Sequence, residues 1–386
     1  MSRDPLVSVI IPTRNERESI AECVEKARRA LEEMGLAGEV IVSDNSSDDT
    51  PEIARGKGAI VVHPDRLGYG YAYIYALRHA KGRYIVMADG DGTYDLSEMP
   101  NLLEPLLKGE ADVVLGTRIK GRIMPGAMPW LHRHIGNPLL TYVLNRFHGT
   151  RVSDAHTGFR AFTREALEKI KPTTTGMEFA SELIIKAAYA GLRIKEVPIT
   201  YYPRRGGQSK LRSFRDGWRH LKLILTFAPK FLYYIPGAAM MLAGVVFMLA
   251  ALLRIHLGYS PGIHSSILGS MLSILGFNLA TLGLITDTYL ASLLGRPTSS
   301  ITNAILRRVS IEKVALLGAL LSLTGLTYLL RIFTAWVESG YRYIPVRGEN
   351  VVASTLLILG FQTILQTFTL HLLSAAVSEQ HASGAD

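Results

Sequence analysis

Asp89-Gly90-Asp91 sets two carboxylates two residues apart, directly after the apolar run Tyr84-Ile85-Val86-Met87-Ala88 and before the turn-prone Gly92-Thr93. A buried strand that ends in this way puts both acidic side chains on one side of the chain. Two hard oxygen donors converging beside a glycine can hold one Mg2+ or Mn2+ that is itself bound to a diphosphate. Such a cation neutralises the charge that develops on a departing nucleoside diphosphate. A bare D-x-D tripeptide is more often only an acidic turn. The surroundings of this one decide the matter.

The apolar runs 7–12, 40–42, 59–62, 84–88 and 112–115 read as strands. Helical patterns separate them, one through Ile20, Cys23, Val24, Ala27 and Leu31 that stops near Gly35, another following Gly68-Tyr69-Gly70 to about Ala80. Strands alternating with helices predict an α/β domain with a mostly parallel sheet and helices on both faces. Ligands of such sheets sit beyond the carboxyl ends of the strands. Four of those ends carry polar clusters, at 13–16, 44–48, 89–91 and Thr117-Arg118. A helix-like stretch at 130–147, a helix over 177–190 and a late strand at 194–197 complete this part.

Of the 386 residues 48% are apolar, and the surplus is concentrated late in the chain. Residues 232–253, 266–286, 314–337 and 351–373 are each long enough for a membrane-crossing helix, which needs about 20 apolar residues. The expected organisation is a catalytic domain over 1–200, a basic juxtamembrane segment over 201–230, a four-helix transmembrane domain over 231–375 and a tail over 376–386. The apolar run 6–11 is too short for a secretory signal and enters Pro12-Thr13. The loop after the second stretch carries Arg296, Arg307, Arg308 and Lys313, whereas the loop after the first has Arg254 at its start. The positive-inside rule then places the N-terminal domain of a multi-pass cell-membrane protein in the cytoplasm. Asp287 and Arg331 fall near the ends of the stretches, where snorkelling accounts for them.

The net charge of +9 has a local source: ten Lys or Arg over 193–230 against Glu196 and Asp216, a surplus of eight. A basic block beside a membrane span is a footprint for anionic lipid or lipid phosphate. Within it Leu211, Phe214, Trp218, Leu221 and Leu225 recur at helical spacing with Arg212, Arg215, Arg219 and Lys222 between them, as in a helix lying in the interface. No aromatic stacking platform accompanies the charge, so nucleic acid is not the expected partner. Cys23, the one cysteine, excludes an internal disulfide and reads as a packed thiol.

Seven motifs in order carry a family resemblance: Ile11-Pro12-Thr13-Arg14-Asn15-Glu16, Asp44-Asn45-Ser46-Ser47-Asp48-Asp49-Thr50, Gly68-Tyr69-Gly70, Ala88-Asp89-Gly90-Asp91, Gly116-Thr117-Arg118, Asp154-Ala155-His156-Thr157-Gly158-Phe159 and Arg204-Arg205-Gly206-Gly207-Gln208-Ser209-Lys210. Together they resemble the inverting family 2 glycosyltransferases of GT-A fold, in the branch of the dolichyl-phosphate mannose and glucose synthases. The resemblance covers about residues 6–230. It implies that Pro12, Thr13, Arg14, Asn15, Glu16, Asp44, Asp89 and Gly90 line a nucleotide pocket, and that Asp89 and Asp91 hold Mg2+ or Mn2+ with Thr93 nearby. Arg118 and Arg133 would hold phosphate groups, with Asn137 at the acceptor. Arg204, Arg205, Ser209 and Lys210 would close over the diphosphate or meet the lipid phosphate. Ser43 and Thr93 depart from the family's acidic residue and glutamine, and Gly90 replaces a common Ala or Ser, which reads as a small change.

The implied activity is inverting transfer of one hexose from a UDP-glucose or GDP-mannose type donor to polyprenyl (dolichyl) phosphate. A phosphate monoester is anionic at neutral pH and attacks without a strong base, so positioning and charge stabilisation suffice. Asp91, Arg118, Arg133 and Asp154 are the expected catalytic set. A hydroxyl acceptor would instead need a carboxylate base, for which Asp154 or Glu182 would serve; the plain readings are a loop cap for Asp154 and a solvated helix face for Glu182. His132 and His134, two apart on a helix, do not share a face for a metal, while His132, His134 and His156 are suited to phosphate. Two other functions compete. A processive polysaccharide synthase would carry a Q-x-x-R-W motif, which this chain lacks, and a non-catalytic nucleotide-sugar-binding carrier or flippase subunit would show no metal-dependent turnover. The four spans are also compatible with a homo-oligomer.

Overall fold

The computed structural model describes residues 4–206, 213–256, 258–294, 298–308, 310–342, 344 and 347–383. The chain divides into two compact units, Met1–Phe227 and Ala228–Asp386.

The first unit is a seven-stranded sheet in the order β3-β2-β1-β4-β6-β5-β7. Its strands are β1 (Val7–Thr13), β2 (Gly38–Asp44), β3 (Ile60–Val62), β4 (Tyr84–Met87), β5 (Val113–Ile123), β6 (Arg160–Thr163) and β7 (Ile194–Tyr201). β1 pairs in parallel with β2 from Val7↔Gly38 to Thr13↔Asp44, and with β4 on its other edge. Val7, Val9, Ile10 and Ile11 are wholly buried, as expected of a central strand covered on both faces. β6 alone runs against its neighbours, between β4 and β5, so the remaining six strands all point one way. The ends of β1, β2, β4 and the buried part of β5 therefore share one rim, which the loop before β6 also enters.

Helices α1 (Ile20–Glu33), α2 (Thr50–Gly56), α3 (Tyr69–Leu77), α4 (Met99–Leu107), α5 (Asn137–His148), α6 (Arg164–Ile170), α7 (Phe179–Tyr189) and α8 (Ser213–Thr226) cover and flank the sheet. α1 buries Ile20, Cys23, Val24, Ala27, Ala30 and Leu31, the face its apolar spacing predicts. Several boundaries differ from the sequence reading. β5 continues to Ile123 because its last residues, though exposed and basic, pair with the end of β7. β6, α2, α4 and α6 were not expected. The stretch at 130–147 divides into a π-helical turn, His132–Gly136, and α5.

The second unit holds α9 (Ile235–Leu252), α10 (Ile263–Leu294), α11 (Ser300–Arg308), α12 (Ile311–Glu338) and α13 (Gly348–Ser383). Among the described residues four helical segments are long and apolar enough to cross a membrane: Lys230–Leu252, Ile263–Leu294, Ile311–Glu338 and Gly348–Ser374. They pack side by side in the order α9, α10, α13, α12. Glycines spaced by seven let backbones meet. A Cβ on Gly276 would lie 2.6 Å from the Gly237 carbonyl across α9–α10, and one on Gly360 would lie 2.5 Å from the Gly318 carbonyl across α12–α13. Asp287 is not a snorkelling residue. It is wholly buried, and its Oδ2 accepts from Ser299 N (2.8 Å) and Thr302 Oγ1 (2.6 Å), fastening α11 to α10.

Candidate functional site

Asp89 follows β4 at the rim and is half-buried. Its Oδ1 accepts from the hydroxyls of Tyr69 (2.9 Å) and Tyr73 (3.3 Å), one turn apart on α3. Burial and the charge of nearby Asp91 push the Asp89 carboxyl up to about 6. Asp91 Oδ1 accepts from Thr93 N (3.1 Å) and Thr93 Oγ1 (2.6 Å), so the Thr93 hydroxyl is turned to holding the carboxylate. Gly90 is not a minor replacement in this chain: a Cβ there would lie 2.6 Å from Thr13 Cγ2 and 3.0 Å from Ile11 Cγ2. Cys23 is the packed thiol expected. Its Sγ lies 3.8 Å from the Gly90 carbonyl, and burial first, then Asp91, push it up to about 12.

The loop after β7 crosses this turn. Tyr202 N donates to Thr93 O (2.9 Å), and Arg204 Nη1 lies 3.3 Å from Asp91 Oδ2 while its Nη2 pairs with Glu16. Arg205 pairs with Glu22 on α1. Arg204 and Arg205 thus reach the acidic turn, whereas Ser209 and Lys210 lie outside the described residues.

On the β1–β2 side the two loops are laced together. Asp44, almost wholly buried, takes the Thr13 hydroxyl on Oδ1 (2.7 Å) and Ser46 N on Oδ2 (3.0 Å). Asn15 adopts a left-handed conformation (φ 56°), with its Oδ1 accepting from Ser47 N (2.8 Å). Glu16 N donates to Thr50 Oγ1 (3.0 Å). Pro12 and Arg14 border this cluster, Arg14 on the surface. Ser43 is turned away, its hydroxyl donating to Ala72 O in α3 (2.8 Å).

The β5 end brings a buried ion pair. Arg118 Nε and Nη2 bind Asp154 Oδ2 (2.7 Å) and Oδ1 (2.8 Å), and Arg118 N adds a third bond to Oδ2 (3.1 Å). Burial works against the Asp154 carboxylate, but the Arg118 charge and hydrogen bonds outweigh it and hold its pKa below the usual carboxylate range. A buried acid held ionised and bidentate is a poor proton acceptor, which corrects the reading of Asp154 as a base. Glu182 is corrected too: wholly buried, it pairs with Lys186 (2.6 Å) and caps Thr173 and Thr174 through their N–H and hydroxyl groups. Arg133, on the exposed π-helical turn, makes no side-chain hydrogen bond or ion pair with the described residues, and Asn137 opens α5 four residues on.

Sequence reasoning missed Tyr69, Tyr73 and Arg160. The two tyrosines stand at i and i+4, a spacing that marks one helix face. Arg160 is buried and binds the carbonyls of Thr157 (2.6 Å), Ala180 (2.8 Å) and Ala155 (3.0 Å), shaping the loop that carries Asp154. That residue gives no signal in the sequence.

α8 turns Asp216, His220 and Ile224 inward and leaves Phe214 88% and Trp218 62% exposed. His220 Nδ1 lies 2.8 Å from Ser181 Oγ, and its ring meets His156 edge-on at 4.6 Å. Burial lowers the His220 imidazole from 6.5 to about 4, with Asp216 opposing and Arg160 assisting. The unfolded chain therefore binds this proton more tightly than the folded one. The group costs nothing above pH 6.5 and removes about 3 kcal/mol of stability as pH falls towards 4. His220→Gln is expected to flatten that acid limb, read as melting temperature of the full chain in detergent at about pH 7 and about pH 5; equal losses in both proteins would assign the acid sensitivity to other groups.

Asp89 and Asp91 suit Mg2+ or Mn2+. Two carboxylates are enough for a cation that keeps water and takes its other ligands from a diphosphate. Among the described residues no cluster of three or more His, Cys, Asp or Glu is placed to hold a metal.

Residues 8–171 match the model of glycosyl transferase family 2, and residues 284–374 that of the glycosyltransferase family 2 C-terminal transmembrane region. The low-salt glycan biosynthesis hexosyltransferase Agl6 of Haloferax volcanii is 44% identical over 95% of this chain and 88% of its own length. The chain belongs to glycosyltransferase family 2, as an enzyme with a GT-A catalytic domain, and is a multi-pass membrane protein. A dolichyl-phosphate hexose transferase of the same organism is 38% identical over 55% of this chain and 89% of its own. A solved structure of Mycobacterium tuberculosis glucosyl-3-phosphoglycerate synthase with Mn2+, UDP and glucosyl-3-phosphoglycerate is 24% identical, with TM-score 0.48 over 58% of this chain and 80% of that one.

Proposed function

We propose that this glycosyltransferase moves one hexose from a nucleoside-diphosphate sugar to a polyprenyl phosphate, dolichyl phosphate in particular, with inversion at the anomeric carbon and with its catalytic unit in the cytoplasm. The carrying observation is the acidic rim crossed by a basic loop: Asp89 and Asp91 beneath Arg204 and Arg205. The names of the two Haloferax relatives, a hexosyltransferase and a dolichyl-phosphate hexose transferase, support the same reaction class.

Asp89 and Asp91 would hold Mg2+ or Mn2+, which when bound would neutralise charge on the leaving diphosphate. Tyr69 and Tyr73 orient Asp89, and Thr93 orients Asp91. Thr13, Asn15, Glu16 and Asp44 hold the two loops that form the nucleotide pocket. Arg204 and Arg205 offer planar forks to diphosphate oxygens. Arg118, fixed by Asp154, keeps Nη1 for a phosphate oxygen, and Arg133 with Asn137 meets the acceptor phosphate. An anionic acceptor needs no strong base, which agrees with Asp154 being engaged by Arg118. The exposed Phe214 and Trp218 beside Arg215 and Lys222 suit α8 to the membrane interface, where a lipid phosphate is found.

Incubation with labelled UDP-glucose or GDP-mannose, polyprenyl phosphate and Mg2+ or Mn2+ is expected to give a lipid bearing one sugar, and chelation to stop it. A long polymer, or turnover indifferent to chelation, would overturn the reading.

A further inference from the structure

Ser181, His156 and His220 meet inside the first unit, away from the acidic rim. Ser181 of α7 is wholly buried, and its Oγ lies 2.8 Å from His220 Nδ1 of α8 and 3.3 Å from His156 Nε2 in the loop before β6. Burial above all lowers both imidazoles from 6.5, so near neutral pH each is uncharged, with one donor and one acceptor nitrogen. His156 Nδ1 is buried with no hydrogen-bond partner among the described residues, a cost that an apolar side chain would avoid. Packing alone would favour apolar groups in these places.

The two ends of the trio suggest its task. At one end His156 N donates to Asp154 Oδ1 (3.3 Å), the oxygen that also takes Arg118 Nη2 (2.8 Å). At the other end His220 is on the inward face of α8, whose outward face exposes Phe214 and Trp218. Neighbouring contacts follow the same route. α8 rests on α5 and α7: His148 Nε2 lies 3.0 Å from Ile224 O, and the Tyr189 hydroxyl donates to Phe227 O at 2.6 Å. Those two helices also grip the Asp154 loop. Thr141 Oγ1 of α5 accepts from Ala155 N (3.3 Å), and the Arg160 guanidinium joins Ala180 O of α7 (2.8 Å) to Ala155 O (3.0 Å). From Arg118 through Asp154, His156 and Ser181 to His220, no step exceeds 3.3 Å.

We propose that His156 and Ser181 are positioning residues that tie the aim of Arg118 to the seating of α8 on a lipid surface, an inference that rests on the phosphate role given to Arg118 above. With Phe214 and Trp218 in the interface, His220 steadies Ser181 and His156, and the Asp154 loop holds the guanidinium toward the acceptor. With α8 lifted from the lipid, the loop loosens and Arg118 loses its aim. Sugar transfer is thereby confined to catalytic units seated on the membrane that carries the acceptor.

The test uses the full chain in nanodiscs of phosphatidylcholine and phosphatidylglycerol. Phe214→Ser with Trp218→Ser strips the exposed face of α8 and alters nothing buried. Ser181→Ala and, independently, His156→Phe break the link from inside, the second keeping an aromatic ring without its nitrogens. Hydrogen exchange over residues 116–120 and 153–158 is the readout that needs no turnover. The face variant and each link variant are expected to speed exchange there, and to lower kcat, by about tenfold while the donor KM holds. Since they act through one path, the face variant combined with a link variant should do no more than either alone. Exchange in these segments that ignores the α8 face would overturn the proposal, and so would effects that multiply to about a hundredfold. Exchange that rises equally throughout the first unit would show a loss of fold and overturn it too. Wild-type protein that transfers no sugar would defeat the reaction proposed above, while the exchange result would still decide the link.

Discussion

Asp91→Asn is expected to lower sugar transfer by about a thousandfold, the scale on which losing one charged contact to a developing anion is felt. Asparagine keeps the shape of the side chain and an oxygen for the Thr93 N–H and hydroxyl, so the turn should survive. What it loses is the negative charge that faces Arg204 at 3.3 Å and that would ligate the cation. Initial rates with labelled donor, set beside the melting temperature and membrane insertion of the same preparation, separate chemistry from folding. Activity within tenfold of wild type would remove Asp91 from the metal site.

The second large effect falls on stability as well as rate. Asp154→Ala leaves the Arg118 guanidinium, only 7% exposed, buried without its counter-charge. Breaking a buried pair from one side costs about 3–5 kcal/mol, because the remaining charge is stranded. Transfer should fall in parallel, since Arg118 also loses the two bonds that orient it. A second variant distinguishes positioning from mere structure. Asp154→Leu combined with Arg118→Met replaces both charges by apolar groups and is expected to recover most of the stability while leaving transfer abolished. Recovery of activity together with stability would show that the pair serves only the fold.

The parallel part of the sheet and its rim could be read from the chain, because buried central strands are written as unbroken apolar runs that stop at polar turns. β6 could not. It is four residues long, begins with an arginine and ends with a threonine, and only its neighbours make it a strand. The exposed end of β5, with Lys120 and Arg122, escaped for a related reason: pairing with β7 supplies what the local composition lacks. Among the candidate site residues, the acidic tripeptide is marked by type and spacing, whereas the arginines after β7 follow from the family resemblance. The states of Asp154, Glu182 and Asp287 are not marked, since each is settled by a partner brought in by the fold: Arg118, 36 positions away, for Asp154, Thr173 and Thr174 for Glu182, and Thr302 for Asp287. Burial of a carboxylate has no signature along the chain when its partner comes from another element.

The glycine seams of the membrane unit divide its mechanics unevenly. α9 with α10, and α12 with α13, meet backbone to backbone, so within each pair there is little side-chain freedom to absorb movement. The join between the pairs runs mainly along α10 and α13 and lacks a comparable glycine seam among the described residues. The unit is in this sense two stiff boards sharing one spine, and opening them requires only that the spine flex. Movement within the unit would therefore come from the boards swinging relative to each other, with each of them staying whole.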